Sequence, residues 1–421
     1  MHKIECLLHT LAPKGVEFKT LEEVFEIKNG YTPSKNNPEF WKNGTIPWFR
    51  MEDLRENGRI LKDSIQHITP KALKGKKLFP KNSIIISTTA TIGEHALLIV
   101  ESLANQRFTF LSKKANCDIA LDMKFFFYQC FLLGEWCKNN TNVSGFASVD
   151  MTAFKKYKFP IPPLEIQQEI VTILDAFTEL NTELNTELNA RKKQYEYYQN
   201  MLLDFNDINQ SHKDAKERLV QKPYPKRLKT LLQTLAPKGV EFRKLGEVIN
   251  IFKGKQLNKE LLLDYGEYPV MNGGIHASGY WNEYNTDYPK IIISQGGASA
   301  GYVNYMTSKF WAGAHCYAIE LNSEKLNYKF LYYFLKNSQT ILMKSQFGAG
   351  IPALNKADIE TLTIPIPPLE IQQEIVKILD QFLALTTDLL AGIPAEIKAR
   401  KKQYEYYREK LLTFKPLQNK A

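Results

Sequence analysis

One proline-led amphipathic segment occurs twice in the sequence, and this repeat constrains the fold more than any other feature. Residues 161–171 read IPPLEIQQEIV and recur at 366–376. Residues 190–198 read ARKKQYEYY and recur at 399–407. The fold must therefore contain the same long element in two copies.

The first copy predicts a single helix from Pro160 to Leu203. Prolines are tolerated in the first turn of a helix, and none occurs after that turn. Apolar side chains recur every three, four or seven residues at Ile166, Ile170, Ile173, Phe177, Leu180, Leu184, Leu188, Tyr195 and Leu202. Such a narrow stripe needs a partner helix, as in a coiled coil, and we expect the second copy to be the antiparallel partner.

The second copy has the same stripe but differs in its middle. Its apolar positions are Ile371, Ile375, Ile378, Phe382, Leu385 and Leu389. After Leu385 it contains an insertion with Gly392 and Pro394. These residues predict a kink or a break, because proline removes a backbone donor and clashes with the preceding turn.

A shorter repeat precedes each variable region. LLHTLAPKGVEFKTLEEVFEI at 7–27 recurs as LLQTLAPKGVEFRKLGEVINI at 231–251. The predicted fold class is therefore α/β (or α+β): two globular domains separated by two long antiparallel helices with internal pseudo-two-fold symmetry. The predicted segments are a first recognition domain at 1–159, a central helix at 160–206, a linker at 207–230, a second recognition domain at 231–364 and a C-terminal helix at 365–415.

Local patterns inside the variable regions predict both strands and helices. Short β-branched or apolar runs predict strands over Ser83–Ser87, Ala96–Val100 and Lys290–Ser294. Helical spacing of Phe, Tyr and Leu predicts helices over Met123–Cys137 and Tyr328–Met343. We expect these aromatic residues to form core rather than a base-stacking surface.

Composition favours a cytoplasmic protein with a polyanionic partner. The formal net charge is +10 and the pI is about 9.0. The five cysteines form no C-x-x-C pair, which predicts reduced thiols without a disulfide framework or a zinc site. We expect no signal peptide, and the apolar run Phe125–Leu133 is too short to span a membrane.

Sequence motifs of catalysis are absent. The sequence has no phosphate-binding loop of the G-x-x-x-x-G-K-[ST] type, no adenine-methyltransferase motif and no H-E-x-x-H spacing. We interpret 347–350 (FGAG) as a turn and the adjacent His315 and Cys316 as a structural pair. Nothing in the sequence therefore favours an enzyme, a metal site or a bound cofactor.

The repeated IPPLEIQQEIV and ARKKQYEYY motifs, flanking two divergent domains, resemble the specificity (S) subunit of type I restriction–modification systems. The resemblance covers essentially the whole chain. It implies a non-catalytic subunit whose two target-recognition domains each read half of a split, asymmetric site in double-stranded DNA. It further implies helices that bind two modification (M) subunits, which carry S-adenosylmethionine and methylate adenine, while a restriction (R) subunit cuts. We expect the chain by itself to be a monomer.

Three consecutive TELN tetrapeptides occupy residues 178–189. Each adds about one helical turn, ~6 Å. In the family, such repeats imply a role in setting the unread spacer between half-sites; the alternative is tolerated repeat slippage on a solvated helix. The residues assigned to the spacer are Thr178, Asn181, Thr182, Asn185, Thr186 and Asn189.

Candidate DNA contacts are polar and basic residues expected in loops, many of them after apolar strands. They are Lys35, Asn36, Asn37, Arg50, Thr88, Thr89, Gln106, Arg107, Asn272, His276, Ser294, Gln295 and His315. For any one of them, a solvated loop residue or a structural hydrogen bond is the alternative.

Candidate contacts with the modification subunits are polar residues retained in both helix copies, which we expect on their outer face. They are Gln167, Gln168, Arg191, Lys192, Gln372, Gln373, Arg400 and Lys401. Recent duplication is the alternative explanation of their identity.

Two other functions compete with this interpretation. One is a methyltransferase or nuclease acting alone, which the missing motifs disfavour. The other is a stand-alone DNA-binding protein or coiled-coil scaffold without restriction partners, which pairs with another chain of its kind. A monomer in solution would favour internal helix pairing over that second alternative.

Overall fold

The computed structural model describes residues 2–75, 77–142, 147–205, 223–348, 350–387 and 392–417. Two compact units divide the chain. The first unit comprises Met1–Glu183 and Ile397–Ala421, and the second comprises Leu184–Glu396. Most of the predicted linker, residues 207–222, lies outside the described residues.

The first unit combines short helices with strands. Its helices are α1 (His2–Leu11), α2 (Leu21–Val24), α3 (Met51–Asn57), α4 (Met123–Asn139) and α5 (Met151–Lys155). Its strands are β1 (Glu17–Thr20), β2 (Phe25–Asn29), β3 (Ile46–Phe49), β4 (Ile60–Leu61), β5 (His67–Ile68), β6 (Ser83–Ser87), β7 (His95–Leu98), β8 (Leu103–Ala104), β9 (Phe108–Lys113), β10 (Thr141–Asn142), β11 (Ser148–Val149) and β12 (Lys158–Ile161). Two 3-10 turns are Pro38–Phe40 and Pro70–Leu73.

A five-stranded sheet in the order β2-β9-β6-β7-β4 forms the centre of the first unit. Strand β6 is buried on both faces, as its uninterrupted apolar run predicts. Ile84 and Ile86 join the core beneath α4, whereas Ile85 joins a second core with Phe49 and Phe110. The unit also contains a three-stranded sheet β5-β3-β8 and the antiparallel pairs β1-β12 and β10-β11.

The helix α6 (Leu164–Leu203) is continuous over 40 residues and contributes to both units. The helices that follow are α7 (Lys226–Leu235), α8 (Tyr328–Asn337), α9 (Gln339–Lys344), α10 (Lys356–Glu360), α11 (Leu369–Thr387) and α12 (Ile393–Leu412). The strands that follow are β13 (Glu241–Lys244), β14 (Ile249–Lys253), β15 (Tyr268–Met271), β16 (Gly279–Trp281), β17 (Lys290–Ser294), β18 (Val303–Met306), β19 (Trp311–Ala312), β20 (Cys316–Leu321) and β21 (Thr363–Ile366). Two 3-10 turns are Leu245–Glu247 and Lys259–Leu261.

The second unit repeats the plan of the first. Its main sheet has the order β14-β20-β17-β18, beside a three-stranded sheet β16-β15-β19 and the pair β13-β21. Ile291 and Ile293 of β17 join the core with α8, whereas Ile292 joins a second small core. The predicted fold class is thus confirmed as two α/β domains, to both of which the long helix α6 contributes.

Several local predictions are confirmed, and others need correction. Strands β6 and β17 have the predicted bounds, while β7 begins at His95 and ends at Leu98. The helix predicted over Tyr328–Met343 is two helices, because the chain leaves regular helix at Ser338. In the second copy, α11 is described as far as Thr387, the chain bends at Gly392 and α12 begins at Ile393, in line with the break predicted around Gly392 and Pro394.

Among the residues that the structure describes, no helix is both long and apolar enough to cross a membrane. The five cysteines are free thiols. Residues 388–391, which include the predicted apolar position Leu389, lie outside the described residues.

Two buried glutamines attach the long helices to their domains, which corrects the prediction that they lie on an outer face. Gln167 and Gln372 are both 0% exposed. Gln372 accepts a hydrogen bond from the Asn327 amide at 2.7 Å and donates to the carbonyls of Lys325 at 2.8 Å and Pro367 at 2.6 Å. Because their amides are used inside the protein, these two side chains do not contribute to an exposed docking face.

Gln167 makes the same three bonds in the first unit. Its Oε1 accepts from the Asp122 amide at 2.8 Å, and its Nε2 donates to the carbonyls of Ala120 at 2.9 Å and Pro162 at 2.7 Å. Each glutamine therefore joins the start of a long helix to the loop that precedes a domain helix, α4 or α8.

A carboxylate two turns further along each helix repeats the attachment. Asp175 accepts hydrogen bonds from Lys124 Nζ at 2.5 Å and from Tyr128 Oη at 2.6 Å. In the second unit Asp380 accepts from Lys329 Nζ at 2.7 Å and from Tyr333 Oη. Burial, strengthened by the neighbouring carboxylate, raises the pKa of both tyrosine hydroxyls, so they remain protonated donors.

Candidate nucleic-acid interface

Arg50 is held at the junction of β3 and α3. Its backbone N–H donates to Asp53 Oδ2 at 2.6 Å, and the other oxygen of this buried carboxylate accepts from the Ile65 amide at 2.6 Å. The Arg50 guanidinium carbon lies 5.7 Å from the centre of the Trp48 ring, within cation–π range. The Arg50 Nε is buried and has no hydrogen-bond partner among the described residues.

A cleft beside Arg50 gathers four of the thirteen DNA-contact candidates. It consists of two adjoining cavities, of about 370 Å³ and about 590 Å³, that share Lys35, Trp48 and Arg50 as walls. Gln106 and Arg107 line the smaller cavity. We call these two cavities the first-unit cleft.

The described residues that line this cleft carry a strong excess of positive charge. The acidic residue Glu52 also lines the cleft, and its Oε2 lies 3.9 Å from Arg50 Nε. The basic residues that line the cleft are Lys35, Lys42, Arg50, Arg55 and Arg107. Such a lining suits a phosphate backbone, while guanidinium and amide groups can bond to base edges.

Aromatic residues that were not among the candidates shape the cleft. Trp41 and Trp48 meet edge to face, with ring centres 5.0 Å apart. Their indole N–H groups donate to the Ser34 and Tyr31 carbonyls, each at 2.9 Å. Both rings are thus fixed. The alternation of aromatic and basic residues in 41–50, WKNGTIPWFR, is the sequence signal that could have identified them.

Other first-unit candidates have structural roles or lie apart from the cleft lining. Asn37 caps a 3-10 turn, because its Oδ1 accepts from the Glu39 amide at 3.1 Å. Thr88 is only 6% exposed and its hydroxyl bonds to Thr109 at 3.0 Å, which contradicts its prediction as a loop residue facing DNA. Thr89 forms a β-bridge with Ser148, and Asn36 is exposed beside Lys35.

The second unit builds the same backbone frame around different side chains. In the first unit the Asn105 amide donates to the Phe49 carbonyl at 3.1 Å, and in the second the Gly313 amide donates to Met271 at 2.8 Å. The residues that follow these acceptors are Arg50 and Asn272, which therefore occupy equivalent positions.

Two further bonds align the other candidates. The Thr88 amide donates to the Arg107 carbonyl at 3.1 Å. In the second unit, the Gln295 amide donates to the His315 carbonyl at 2.8 Å. Arg107 of the first unit is thus equivalent to His315 of the second, and both are exposed. Thr88 is likewise equivalent to Gln295.

An asparagine supports the turn before Arg107 or His315 from a different position in each unit. Asn105 Oδ1 accepts from the Arg107 amide at 3.0 Å. In the second unit Asn272 Oδ1 accepts from the His315 amide at 3.3 Å. A Cβ on Gly313, the counterpart of Asn105, would lie 2.5 Å from that oxygen, so glycine is required there. Asn272 is therefore a support for the turn.

Cys316 has a structural role, whereas its neighbour His315 is exposed, so the two do not form the structural pair that the sequence predicted. Cys316 is 1% exposed, its Sγ donates to the Met271 carbonyl at 3.1 Å and it accepts from the Gly273 amide at 3.2 Å. Burial raises the pKa of this thiol to about 11, so it is neutral near pH 7 and is a poor nucleophile.

Gln295 is the second-unit candidate with an unsatisfied polar atom. Its Oε1 is buried and has no hydrogen-bond partner among the residues that the structure describes. Ser294, by contrast, is the last residue of β17 and 3% exposed, which contradicts its prediction as a loop residue facing DNA. His276 is exposed on the loop after β15.

The spacer candidates lie within the uninterrupted part of α6. The leucines of the TELN repeats, Leu180, Leu184 and Leu188, are half-buried, as is Asn181. Thr178, Thr182, Asn185, Thr186 and Asn189 are exposed. Since the tetrapeptide length matches the spacing of the half-buried leucines, a change of one repeat preserves the apolar stripe.

The remaining candidates for partner contact lie at the surface or partly so. Gln168, Lys192, Gln373 and Lys401 are exposed. Arg191 is half-buried and bonds to Gln194 at 3.1 Å, and the equivalent Arg400 bonds to Gln403 at 3.2 Å. Among the described residues, no cluster of His, Cys, Asp and Glu side chains could hold a metal ion.

Comparison with known families matches both halves of the chain to one domain type. The family profile described as "Type I restriction modification DNA specificity domain" matches residues 13–193 and 237–399. The specificity subunit of the type I restriction enzyme EcoprrI of Escherichia coli is 40% identical over 391 residues, which cover 89% of each chain. The MjaIX specificity subunit of Methanocaldococcus jannaschii is 26% identical over 386 residues, covering 86% of this chain and 85% of that one.

Two solved structures have the same fold. One is the crystal structure of the type I restriction–modification S subunit from M. genitalium, with a TM-score of 0.55 at 20% identity; the alignment covers 94% of this chain and 96% of that one. The other comes from work on complex assembly and conformational transition of a type I system. Its TM-score is 0.60 at 19% identity, with 95% and 98% coverage.

Proposed function

Because the chain belongs to the family of type I restriction–modification DNA specificity subunits, we propose that each of its two units reads one half of a split, asymmetric DNA site. The chain is the DNA-binding, non-catalytic subunit of such a system. The observation that carries the proposal is the shared backbone frame, which carries different side chains in the two units. Arg50 stands where the other unit has the turn-supporting Asn272, and Arg107 is exposed where the other unit exposes His315. Identical side chains would favour a palindrome, whereas different ones favour unlike half-sites.

The first-unit cleft supplies both kinds of DNA contact. Exposed lysines such as Lys35 and Lys42 neutralise phosphates and set the register. Arg50, fixed by Asp53 and Trp48, is the base-reading group of the cleft, because a guanidinium bonds to two acceptors on the guanine edge. Gln295 has the corresponding role in the second unit.

Arg50→Ala should relax the sequence specificity of DNA binding. Lys42→Ala should weaken binding to all sequences and leave the specificity unchanged. Loss of a bidentate base contact costs about 1–3 kcal/mol at one base pair, and loss of a phosphate contact lowers affinity for all sequences and the salt dependence. Binding to a randomised duplex library at several salt concentrations measures both. A uniform effect of Arg50→Ala would remove it as a reader.

Gln295→Ala should weaken discrimination in one half-site and leave the other unchanged. The reason is that Gln295 belongs to the second unit alone, so a contact that it makes can affect only the half-site read by that unit. Mapping of methylated sites in cells that express the variant measures this effect. Gln381→Ala, on the exposed side of α11, is the control; an unchanged sequence preference for Gln295→Ala would exclude it as a reader.

The partners we propose are two modification subunits, which carry S-adenosylmethionine. Restriction subunits are further proposed components. We place the whole complex in the cytoplasm, where it acts on DNA. The chain itself needs no cofactor. Co-purification with the modification subunit of its own system, followed by mapping of methylated adenines, tests the function. A chain that binds DNA but never a modification subunit would instead support the stand-alone alternative.

A further inference from the structure

We propose that Tyr197 and Tyr406 are matched anchors, each of which binds one copy of the same protein, the modification subunit; this inference rests on the function proposed above. The two residues occupy the same position in the repeated segments 190–198 and 399–407. Tyr197 is 55% exposed and Tyr406 is 60% exposed.

Exposed apolar side chains in the repeated segments occur in matched pairs. At these positions the exposed fraction is nearly the same in both copies. The pairs are Leu11 (41%) with Leu235 (40%), Leu164 (37%) with Leu369 (38%), and Tyr197 (55%) with Tyr406 (60%). Contact with water gives no physical reason to keep a large apolar group at the same place twice, whereas a shared protein partner does.

Each exposed tyrosine is fixed by a second tyrosine that packs into the helix pair. In the second unit Tyr198 stacks on Phe382 at 5.1 Å, and Tyr197 meets the Tyr198 ring edge to face at 5.6 Å. In the first unit the Tyr407 ring stacks on Phe177 at 5.6 Å, and Tyr406 lies edge to face on Tyr407 at 5.3 Å. A ring already held in place loses little entropy on binding, which is typical of an interface hot spot.

Recent duplication does not explain this identity, because neighbouring exposed positions have diverged. Thr172 corresponds to Lys377, and Asn200 corresponds to Glu409, three residues after each anchor. These substitutions changed charge and size on the same helices, while residues 190–198 and 399–407 stayed identical. Identity is therefore not uniform along the helices: its longest unbroken runs are the segments around the anchors and the first repeated segment, 161–171 and 366–376.

The charges beside each anchor favour a protein over DNA. Lys193 lies one helical turn before Tyr197, and Glu196 precedes it directly; Lys402 and Glu405 have the same places beside Tyr406. A carboxylate beside the ring repels a phosphate backbone. A protein with an apolar hollow and a rim of both charges fits the anchor, and two equal anchors predict two copies of it.

Titration calorimetry and native mass spectrometry of the full chain with its modification subunit test the proposal. The unaltered chain should bind two copies. Tyr197→Ala or Tyr406→Ala should weaken one binding event at least about 30-fold and spare the other, and the double variant should weaken both. Tyr197→Phe should bind normally, because the ring and not the hydroxyl is the anchor. Tyr265→Ala removes a tyrosine that is 89% exposed in the second domain and is the matched control.

Circular dichroism and the thermal midpoint establish that each variant is folded, and Tyr197→Lys provides a second variant that a solvated helix face tolerates. Two copies bound with unchanged affinity by the double variant would overturn the proposal. A loss of DNA affinity with unchanged partner binding would also overturn it. If the unaltered chain binds DNA but no modification subunit, the proposed function fails as well, so the two failures are distinguishable.

Discussion

Replacing Gln372 by alanine is expected to destabilise the second unit by about 4 kcal/mol. The side chain is fully buried and satisfies the amide of Asn327 and the carbonyls of Lys325 and Pro367. A buried polar group left without a partner costs roughly 1–3 kcal/mol, and alanine leaves the buried Pro367 carbonyl and two part-buried groups without this partner, together with a cavity. Urea unfolding followed by tryptophan fluorescence measures the loss.

The next residue in the chain provides the matched control. Gln373 is exposed, so Gln373→Ala should change the free energy of unfolding by no more than about 0.5 kcal/mol. Gln167→Ala and Gln168→Ala should repeat the contrast in the first unit. Equal effects of Gln372→Ala and Gln373→Ala would show that the buried amide is not what attaches the helix.

Deleting Thr182–Asn185 is expected to change the length of the unread spacer in the DNA target and to leave both half-sites intact. The deletion removes one TELN repeat, about one turn or ~6 Å of α6, and keeps the half-buried leucines in phase. The reading groups proposed above lie outside α6, so their side chains are unchanged. Mapping of methylated adenines in cells with the deleted chain identifies the new target.

Side-chain changes at constant length separate length from chemistry. Thr182→Ala with Asn185→Ala keeps all 40 residues of α6 and should leave the spacer as it is. Altered half-sites in the deletion variant, or an unchanged spacer, would contradict the assignment of Thr178, Asn181, Thr182, Asn185, Thr186 and Asn189 as residues that set spacing.

The repeat alone predicts the fold class, because two copies of a long apolar stripe require two equivalent supports. It cannot predict which polar residues of the stripe are buried. Gln167 and Gln168 are chemically identical neighbours, and only the loop at Ala120–Asp122, distant in sequence, makes one of them structural. Helical periodicity reports the face a residue occupies, but not what the rest of the chain places against it.

The candidate site was predictable to a similar degree. Polar residues near apolar strands included Lys35, Arg50, Gln106 and Arg107, which the structure places around one cleft; their contact with DNA stays a prediction. The sequence could not show that Thr88 points into the protein or that Asn272 supports a turn. Both outcomes depend on partners from other strands, since Thr109 bonds to Thr88 and the space over Gly313 admits the Asn272 side chain.

The glutamine attachment has a consequence for how such a protein can change. Gln167 and Gln372 bond to backbone amides and carbonyls of the domains they hold, and not to domain side chains. Hydrogen bonds to the backbone can form with any loop sequence that keeps the loop conformation. Substitutions in either domain that keep this loop conformation therefore leave the attachment of the long helix intact. The base preference of a domain can change in this way while the helix stays attached to it.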